Sequence, residues 1–168
     1  SRTPVRLAIR LLEREGILLR GTGRGYIVQS PTVSDIKQAV LVRGHLESLA
    51  ARLIAQSTER EEACNKLQNV IDEIERLINI GKINDQTCKD MQQYNATFHQ
   101  TILEGCGNDF VGFTCNRLNH LPMLEVGSMA FDQTTIKTKI GMERTFFRLR
   151  LGNAQHKVIC EAIKTGDS

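Results

Sequence analysis

Apolar residues recur at three- and four-residue spacing through most of this 168-residue chain, which is the period of amphipathic α-helices. Start signals such as Ser34-Asp35 divide the pattern into separate helices. No segment beyond residue 30 alternates with the period of a strand. The pattern therefore predicts a mainly α protein with helices over residues 4–15, 34–56, 58–80, 84–104, 108–126, 132–150 and 152–165.

The first predicted helix has one apolar face and one cationic face. Thr3 suits the N-cap, Pro4 suits the first helical position, and Gly16 suits the end of the helix. The apolar face, which we expect to be buried, consists of Val5, Ala8, Ile9 and Leu12. The cationic face repeats every fourth residue and consists of Arg2, Arg6, Arg10 and Arg14. Such a helix can enter the major groove of DNA, reading base edges with its first residues and holding phosphates with the rest.

A β-hairpin is predicted directly after this helix. Two short apolar runs, residues 17–19 and 26–28, flank a turn that contains three glycines. Residues 1–30 carry six arginines and two glutamates, a net charge of +4, whereas the whole chain has a net charge of +3. Charge alone would also fit an ordinary solvated basic face. The glycine-rich turn that follows the helix favours contact with a phosphate backbone instead.

The run SRTPVR at residues 1–6 and the turn GTGRG at residues 21–25 resemble the C-terminal half of the winged helix-turn-helix of GntR-family transcription regulators. In that family a run like SRTPVR begins the recognition helix, and the hairpin is the wing. The resemblance implies operator contacts from Ser1, Arg2, Thr3 and Arg6, and a wing tip at Thr22 and Gly23. We expect further phosphate contacts from Arg10, Arg20 and Arg24. The sequence begins in the middle of this motif, and we interpret the chain as trimmed or partly ordered.

Three later segments resemble the FCD domain, the all-helical ligand-binding domain of the FadR subfamily of GntR regulators. They are residues 42–55, residues 95–99 with Gly107-Asn108, and residues 155–163. A linker at residues 29–32, where Pro31 disfavours a continued strand, separates them from the wing. We therefore predict a partial winged helix-turn-helix domain over residues 1–30. Residues 31–168 are predicted to form an FCD effector-binding and dimerisation domain with a truncated last helix.

Asn95 and His99 are four residues apart, so both side chains project from one helical face and can converge on one cation. By composition alone, a histidine on a helix of this kind is more often a hydrogen-bonded core histidine than a metal ligand. The FCD resemblance implies a metal site, in which His99 is the first histidine ligand and His156 the second ligand of a divalent zinc, nickel or manganese ion. Asn95 stands where the family usually has Asp, and the final histidine would lie beyond Ser168, so we expect weak metal binding or none. His45 and His120 match no ligand position.

Arg43 is the candidate effector-binding residue. The resemblance places it on the helix that lines the bundle, where an arginine often meets the carboxylate of a small effector. A planar guanidinium matches a carboxylate in geometry. The same residue is also spaced for an ion pair with Glu47, one helical turn away. Both interpretations stay open, and both can hold in different ligand states.

Several classes of function lack support in the sequence. No apolar run approaches the roughly 20 residues that span a bilayer. The five cysteines are odd in number and widely spaced, which favours reduced thiols in the cytoplasm over a disulfide framework or a zinc knuckle. The hydrolase nucleophile motif, the phosphate-binding loop and the metalloprotease motif are missing, so we do not expect an enzyme.

Together these features predict a homodimeric transcription regulator, most often a repressor in this family, that binds double-stranded operator DNA and no membrane. We expect its effector to be a small organic acid held by Arg43, with or without a metal on Asn95, His99 and His156. Two alternatives are a helical metal-dependent enzyme and a helical interaction module without effector control. Turnover by the helical domain would favour the first, and DNA binding that no metabolite alters would favour the second.

Overall fold

The computed structural model describes residues 1–23, 25–118, 131 and 135–167. Within these ranges the protein is mainly α, as predicted. The N-terminal part consists of α1 (Arg2–Arg14) and a hairpin of β1 (Leu18–Arg20) and β2 (Tyr26–Val28). The helical bundle follows with α2 (Val33–Ala55), α3 (Arg60–Ile80), α4 (Asp85–Gly105), α5 (Asp109–Leu118) and α6 (Lys139–Thr165), the last preceded by a 3-10 turn at Thr135–Lys137.

Local side-chain chemistry sets the ends of the long helices. Thr32 and Asp35 form a reciprocal capping box at the start of α2, and the side chain of Asn84 accepts the amide hydrogen of Thr87 at the start of α4. Gly81 ends α3 and Gly166 ends α6, both in the left-handed conformation that glycine adopts without strain. The first half of the bundle therefore follows the predicted boundaries closely.

The predicted N-cap of α1 is wrong by two residues. The helix begins at Arg2, so Ser1 and not Thr3 occupies the cap position. Proline is tolerated throughout the first helical turn, because amide hydrogens there have no helical acceptor. Pro4 therefore marks the first turn without fixing its first residue. Gly16, with φ of +76°, ends the helix as predicted.

The prediction of two helices over residues 132–150 and 152–165 is also wrong, because α6 continues without a break from Lys139 to Thr165. Gly152 lies inside it, where glycine costs only about 1 kcal/mol relative to alanine. Burial of Leu149, Asn153 and His156 on either side of Gly152 keeps this stretch against the bundle. The helix starts late because the side chain of Thr138 accepts the amide hydrogen of Gly141. The helix predicted over residues 108–126 corresponds to α5, and the part of that prediction beyond Leu118 lies outside the described residues.

The core lies between α3, α4 and α6, with α2 packed on α4 and α6 and α5 packed on α2. Its fully buried large side chains come from four of these helices: Ile54, Leu67, Ile71, Met91, Phe98 and Cys115. Burying such side chains is the main favourable term in folding. None of the helices in the described ranges is long and apolar enough to cross a membrane.

The apolar face of α1 is not buried, contrary to the prediction. No residue of α1 is buried, and Val5 and Leu12 are 59% and 39% exposed. Among the described elements α1 packs on β1, and the amide of Ile17 donates to the carbonyl of Leu12 where the helix meets the hairpin. A single layer cannot bury an amphipathic helix, which needs a second layer against its apolar face.

Cysteine reactivity gives a direct test of the bundle. All five cysteines are free and buried: Cys64, Cys88, Cys106, Cys115 and Cys160. Burial raises the pKa of the Cys160 thiol to about 11. Near neutral pH its reactive thiolate fraction is therefore roughly a hundredfold smaller than that of an exposed cysteine. We expect Ellman's reagent to label none of the five quickly in the native protein and all five in denaturant. Fast labelling of any one thiol without denaturant would contradict this packing.

Candidate DNA-binding surface and effector site

The predicted DNA-contacting residues lie at one end of the molecule, on α1 and the hairpin. Ser1, Arg2, Thr3, Arg6 and Arg10 are all exposed on α1 or at its start, and Thr22 and Gly23 are exposed at the hairpin turn. Arg24 lies outside the described residues. The arginines of α1 therefore form a cationic surface that no described element covers, with a hairpin wing beside it.

The carboxylate of Glu13, on α1, accepts hydrogen bonds from both strands of the hairpin. The Nε atom of Arg20, on β1, donates to Oε1 of Glu13 at 2.9 Å, and the hydroxyl of Tyr26, on β2, donates to Oε2 at 3.3 Å. The hydrogen bond and the charge of Glu13 raise the pKa of Arg20. One carboxylate thus connects both strands to the helix. Arg20 both anchors the wing and contributes to its charge.

A second group of polar side chains lies within the bundle, and we call it the polar cluster: Arg43 and Glu47 from α2, His99 from α4, and His156 from α6. Nδ1 of His99 lies 2.9 Å from Oε2 of Glu47. The His99 and His156 rings are 5.5 Å apart between centroids, in an edge-to-face arrangement. Three helices thus bring together residues that are far apart in sequence.

Phe98 positions both histidines. Its ring stacks on His156 with centroids 3.9 Å apart and meets His99 edge to face at 5.7 Å. Phe98 itself is fully buried. Aromatic contacts of this kind restrict ring orientation as well as adding packing energy. The two imidazoles are therefore held against a rigid part of the core.

Burial dominates the electrostatics of the cluster. It lowers the pKa of His156 to about 4, with a smaller contribution from His99, so His156 is neutral near pH 7. Its Nδ1 is buried and has no hydrogen-bond partner among the described residues. Burial also lowers the pKa of Arg43, and the nearby charge of Glu47 opposes that effect. Oε1 of Glu47 is likewise buried and has no hydrogen-bond partner in the described part of the chain.

Sequence reasoning missed the contact between Glu47 and His99, having considered only an ion pair between Glu47 and Arg43. The carboxylate of Glu47 is bonded to His99, although its charge still acts on Arg43. A signal was present in the helical period. Glu47 falls on the same stripe as the buried residues Arg43, Ala50 and Ile54, so a core-facing carboxylate could have been inferred.

The metal ligands inferred from the resemblance stay a prediction. His99 and His156 are neighbours, and Nδ1 of His156, which has no hydrogen-bond partner among the described residues, fits a cation or a hydrogen-bonding ligand. Asn95 is half-buried one turn before His99 on α4. Within the described ranges, no group of three or more His, Cys, Asp or Glu side chains is arranged to hold a metal. Two neighbouring imidazoles, with an amide one turn away on α4, are donors suited at most to weak metal binding.

The other two histidines lie elsewhere. His45 is exposed and lines a groove of about 470 Å³ between α2 and the end of α6, together with Arg52, Ile163 and Asp167. Because His45 is two residues from both Arg43 and Glu47, it lies on a different face of α2 from the polar cluster. His120 lies outside the described residues.

Comparison with known proteins places the helical bundle in a family. The model of the FCD domain matches residues 38–168, which is most of the chain. The chain is 28% identical over 121 residues to an uncharacterized HTH-type transcriptional regulator, YdhC, of Bacillus subtilis (strain 168). That similarity covers 72% of this chain and 52% of the relative, so the chain spans about half the length of the relative it matches. The protein belongs to the FCD domain family, and its resemblance to GntR-type regulators is confirmed.

Proposed function

We propose that this protein is a ligand-responsive transcription regulator that binds palindromic operator DNA as a homodimer and acts as a repressor. One observation carries the proposal. The same chain joins an exposed arginine-bearing helix and wing to an FCD bundle with a polar cluster in its interior. The first element is suited to DNA and the second to a small polar ligand.

The DNA-binding part of the proposal rests on the exposure of α1. The start of α1 reads base edges in the major groove through Arg2, Thr3 and Arg6, while Arg10, Arg20 and Arg24 meet phosphates. Phosphate contacts give affinity that falls with salt, and base contacts give sequence preference. A wing fastened through Glu13 reaches the adjacent minor groove with Thr22 and Gly23.

The effector part of the proposal rests on the polar cluster. A small carboxylate binds the guanidinium of Arg43, whose burial strengthens electrostatic attraction to an anion. A divalent zinc, nickel or manganese ion would add a positive charge that attracts the same carboxylate. Asn95, His99 and His156 would hold that ion.

A contact between the two parts supports coupling of effector and DNA binding. Glu15, just after α1, lies 3.8 Å from Arg117 near the end of α5, and α5 packs on the helix that carries Arg43 and Glu47. The two protomers of the proposed dimer each carry an α1 and a hairpin, which we call the DNA heads. An effector changes DNA affinity only when it binds one arrangement of the DNA heads better than the other. A shift of α2 on effector binding would therefore move α5, and α5 would change the position of the DNA head that it contacts.

Substitution of Arg6 tests the DNA-binding proposal in the full-length protein. A preferred operator is first selected from random duplexes, and affinities are then measured by fluorescence anisotropy. Arg6→Ala should cost about 1–3 kcal/mol at that operator, with partial loss of sequence preference. Arg76→Ala is the matched control, because Arg76 is exposed on α3 and paired with Glu73.

Equal affinity of the Arg6→Ala variant and the wild type would remove Arg6 from base readout. Absence of any sequence-selective duplex in the selection would contradict the proposal as a whole. Turnover of a metabolite by the protein would favour the enzyme alternative. DNA binding that no small carboxylate alters would favour an interaction module without effector control.

A further inference from the structure

We propose that Glu47 is a positioning residue, which fixes His99 with the proton on Nδ1 so that Nε2 is the ligand atom of the ring. The inference rests on the proposed effector site and deepens it. It also assigns a source of negative charge to a site whose other candidate ligands, Asn95, His99 and His156, contain no carboxylate. No motif in the sequence identifies Glu47 for this role.

The geometry carries the first step. Nδ1 of His99 and Oε2 of Glu47 are 2.9 Å apart, which is a short and well-formed hydrogen bond. An ionised carboxylate can only accept, so the ring nitrogen that faces it must carry the hydrogen whether the imidazole is neutral or charged. In the neutral ring the lone pair is then on Nε2. The side chains of His99 and Glu47 are only 23% and 17% exposed, so water competes weakly for this bond.

The second step concerns the other oxygen of the same carboxylate. Oε1 of Glu47 is buried and has no hydrogen-bond partner among the described residues. A carboxylate that served only to join α2 to α4 would be expected to satisfy both oxygens, since an unmet buried acceptor is costly. The negative charge of the Glu47 carboxylate would instead lower the free energy of the site once a cation binds to the two imidazoles. The charge of Glu47 also acts on Arg43, one turn away on α2.

The third step connects this arrangement to metal affinity. A carboxylate behind a histidine ligand fixes the ring and makes its free nitrogen a better donor, and loss of such a partner weakens metal binding by about 10–100-fold. Asn95 brings no charge to this site. Glu47 thus contributes, through His99, part of the negative charge that a carboxylate at position 95 would contribute by direct contact.

Nitrogen NMR of the histidine rings in the metal-free, full-length protein tests the positioning role directly. The His99 signal is assigned by its loss in His99→Gln. We expect the Nδ1–H tautomer in the wild type, the same tautomer in Glu47→Gln because the amide oxygen still accepts, and a shift toward Nε2–H in Glu47→Ala. A wild-type ring protonated on Nε2, or a tautomer unchanged in Glu47→Ala, would overturn the proposal.

Calorimetric titration with zinc alone gives the second readout. Affinity should fall about 10–100-fold in Glu47→Ala and less in Glu47→Gln. Glu75→Gln is the control, since Glu75 also joins two helices but contacts Asn153 and Lys157 rather than a histidine. Equal zinc affinity of the wild type and Glu47→Ala would overturn the proposal. Absence of zinc binding in the wild type would instead remove the metal from the proposed function, and the tautomer experiment would still decide the role of Glu47.

Discussion

Replacement of Phe98 by alanine is expected to lower the free energy of unfolding of the helical bundle by about 3–5 kcal/mol. Phe98 is fully buried in the core between α3, α4 and α6. Its loss removes apolar area from the core, leaves a cavity, and ends the stacking contact with His156. Urea denaturation followed by circular dichroism measures the change.

Phe110→Ala is the matched control for this substitution. Phe110 is 81% exposed on α5, so the same change of side chain should alter the free energy of unfolding by no more than about 0.5 kcal/mol. A loss below about 1 kcal/mol in Phe98→Ala would mean that the bundle closes around the space, contradicting the rigid support inferred for the two histidines. Phe98→Leu retains most of the volume and should fall between the two.

Replacement of His99 by alanine is expected to abolish the effector response while leaving DNA affinity intact. His99 contacts the carboxylate of Glu47 and packs edge to face with the ring of His156. Its removal therefore takes away the residue that connects the other members of the polar cluster. Zinc affinity should fall by about 100-fold or more, because removal of a ligand costs at least as much as removal of its outer partner. Calorimetry and anisotropy at the selected operator, with and without carboxylates, measure the two effects.

His45→Ala provides the control for the loss of a histidine, because His45 is exposed in a groove on another face of α2. It should leave zinc affinity and effector response unchanged. A normal effector response in His99→Ala would show that the polar cluster is a structural feature only. Loss of DNA affinity in the same variant would show that the two parts of the chain do not function separately.

The sequence predicts the bundle well where local chemistry marks the helix ends. Thr32 with Asp35, Gly81 and Asn84 each interact within one helical turn, so their effect can be read without knowing the fold. Gly152 is different, since burial of side chains around it outweighs its low helical preference. That burial depends on neighbouring helices, which helical period alone does not reveal.

The candidate site is predictable only in part for the same reason. The period of α2 places Glu47 on the core-facing stripe, but its partner His99 lies on another helix, and nothing local to either residue indicates the pair. His99 and His156 could be identified through the FCD resemblance. The effect of Phe98, which holds both rings, depends on how α4 crosses α6. Tertiary contacts of this kind follow from packing geometry and not from residue spacing.

Because α1 buries no side chain, few contacts among the described residues fix the orientation of this proposed DNA-reading helix relative to the bundle. The exposed pair of Glu15 and Arg117 is of a type that contributes less than about 1 kcal/mol. A change in the orientation of α1 and the hairpin therefore breaks few of the interactions made by the described residues. An effector that prefers one arrangement by only about 1–3 kcal/mol, the usual size of an allosteric coupling energy, would be enough to redirect the DNA head.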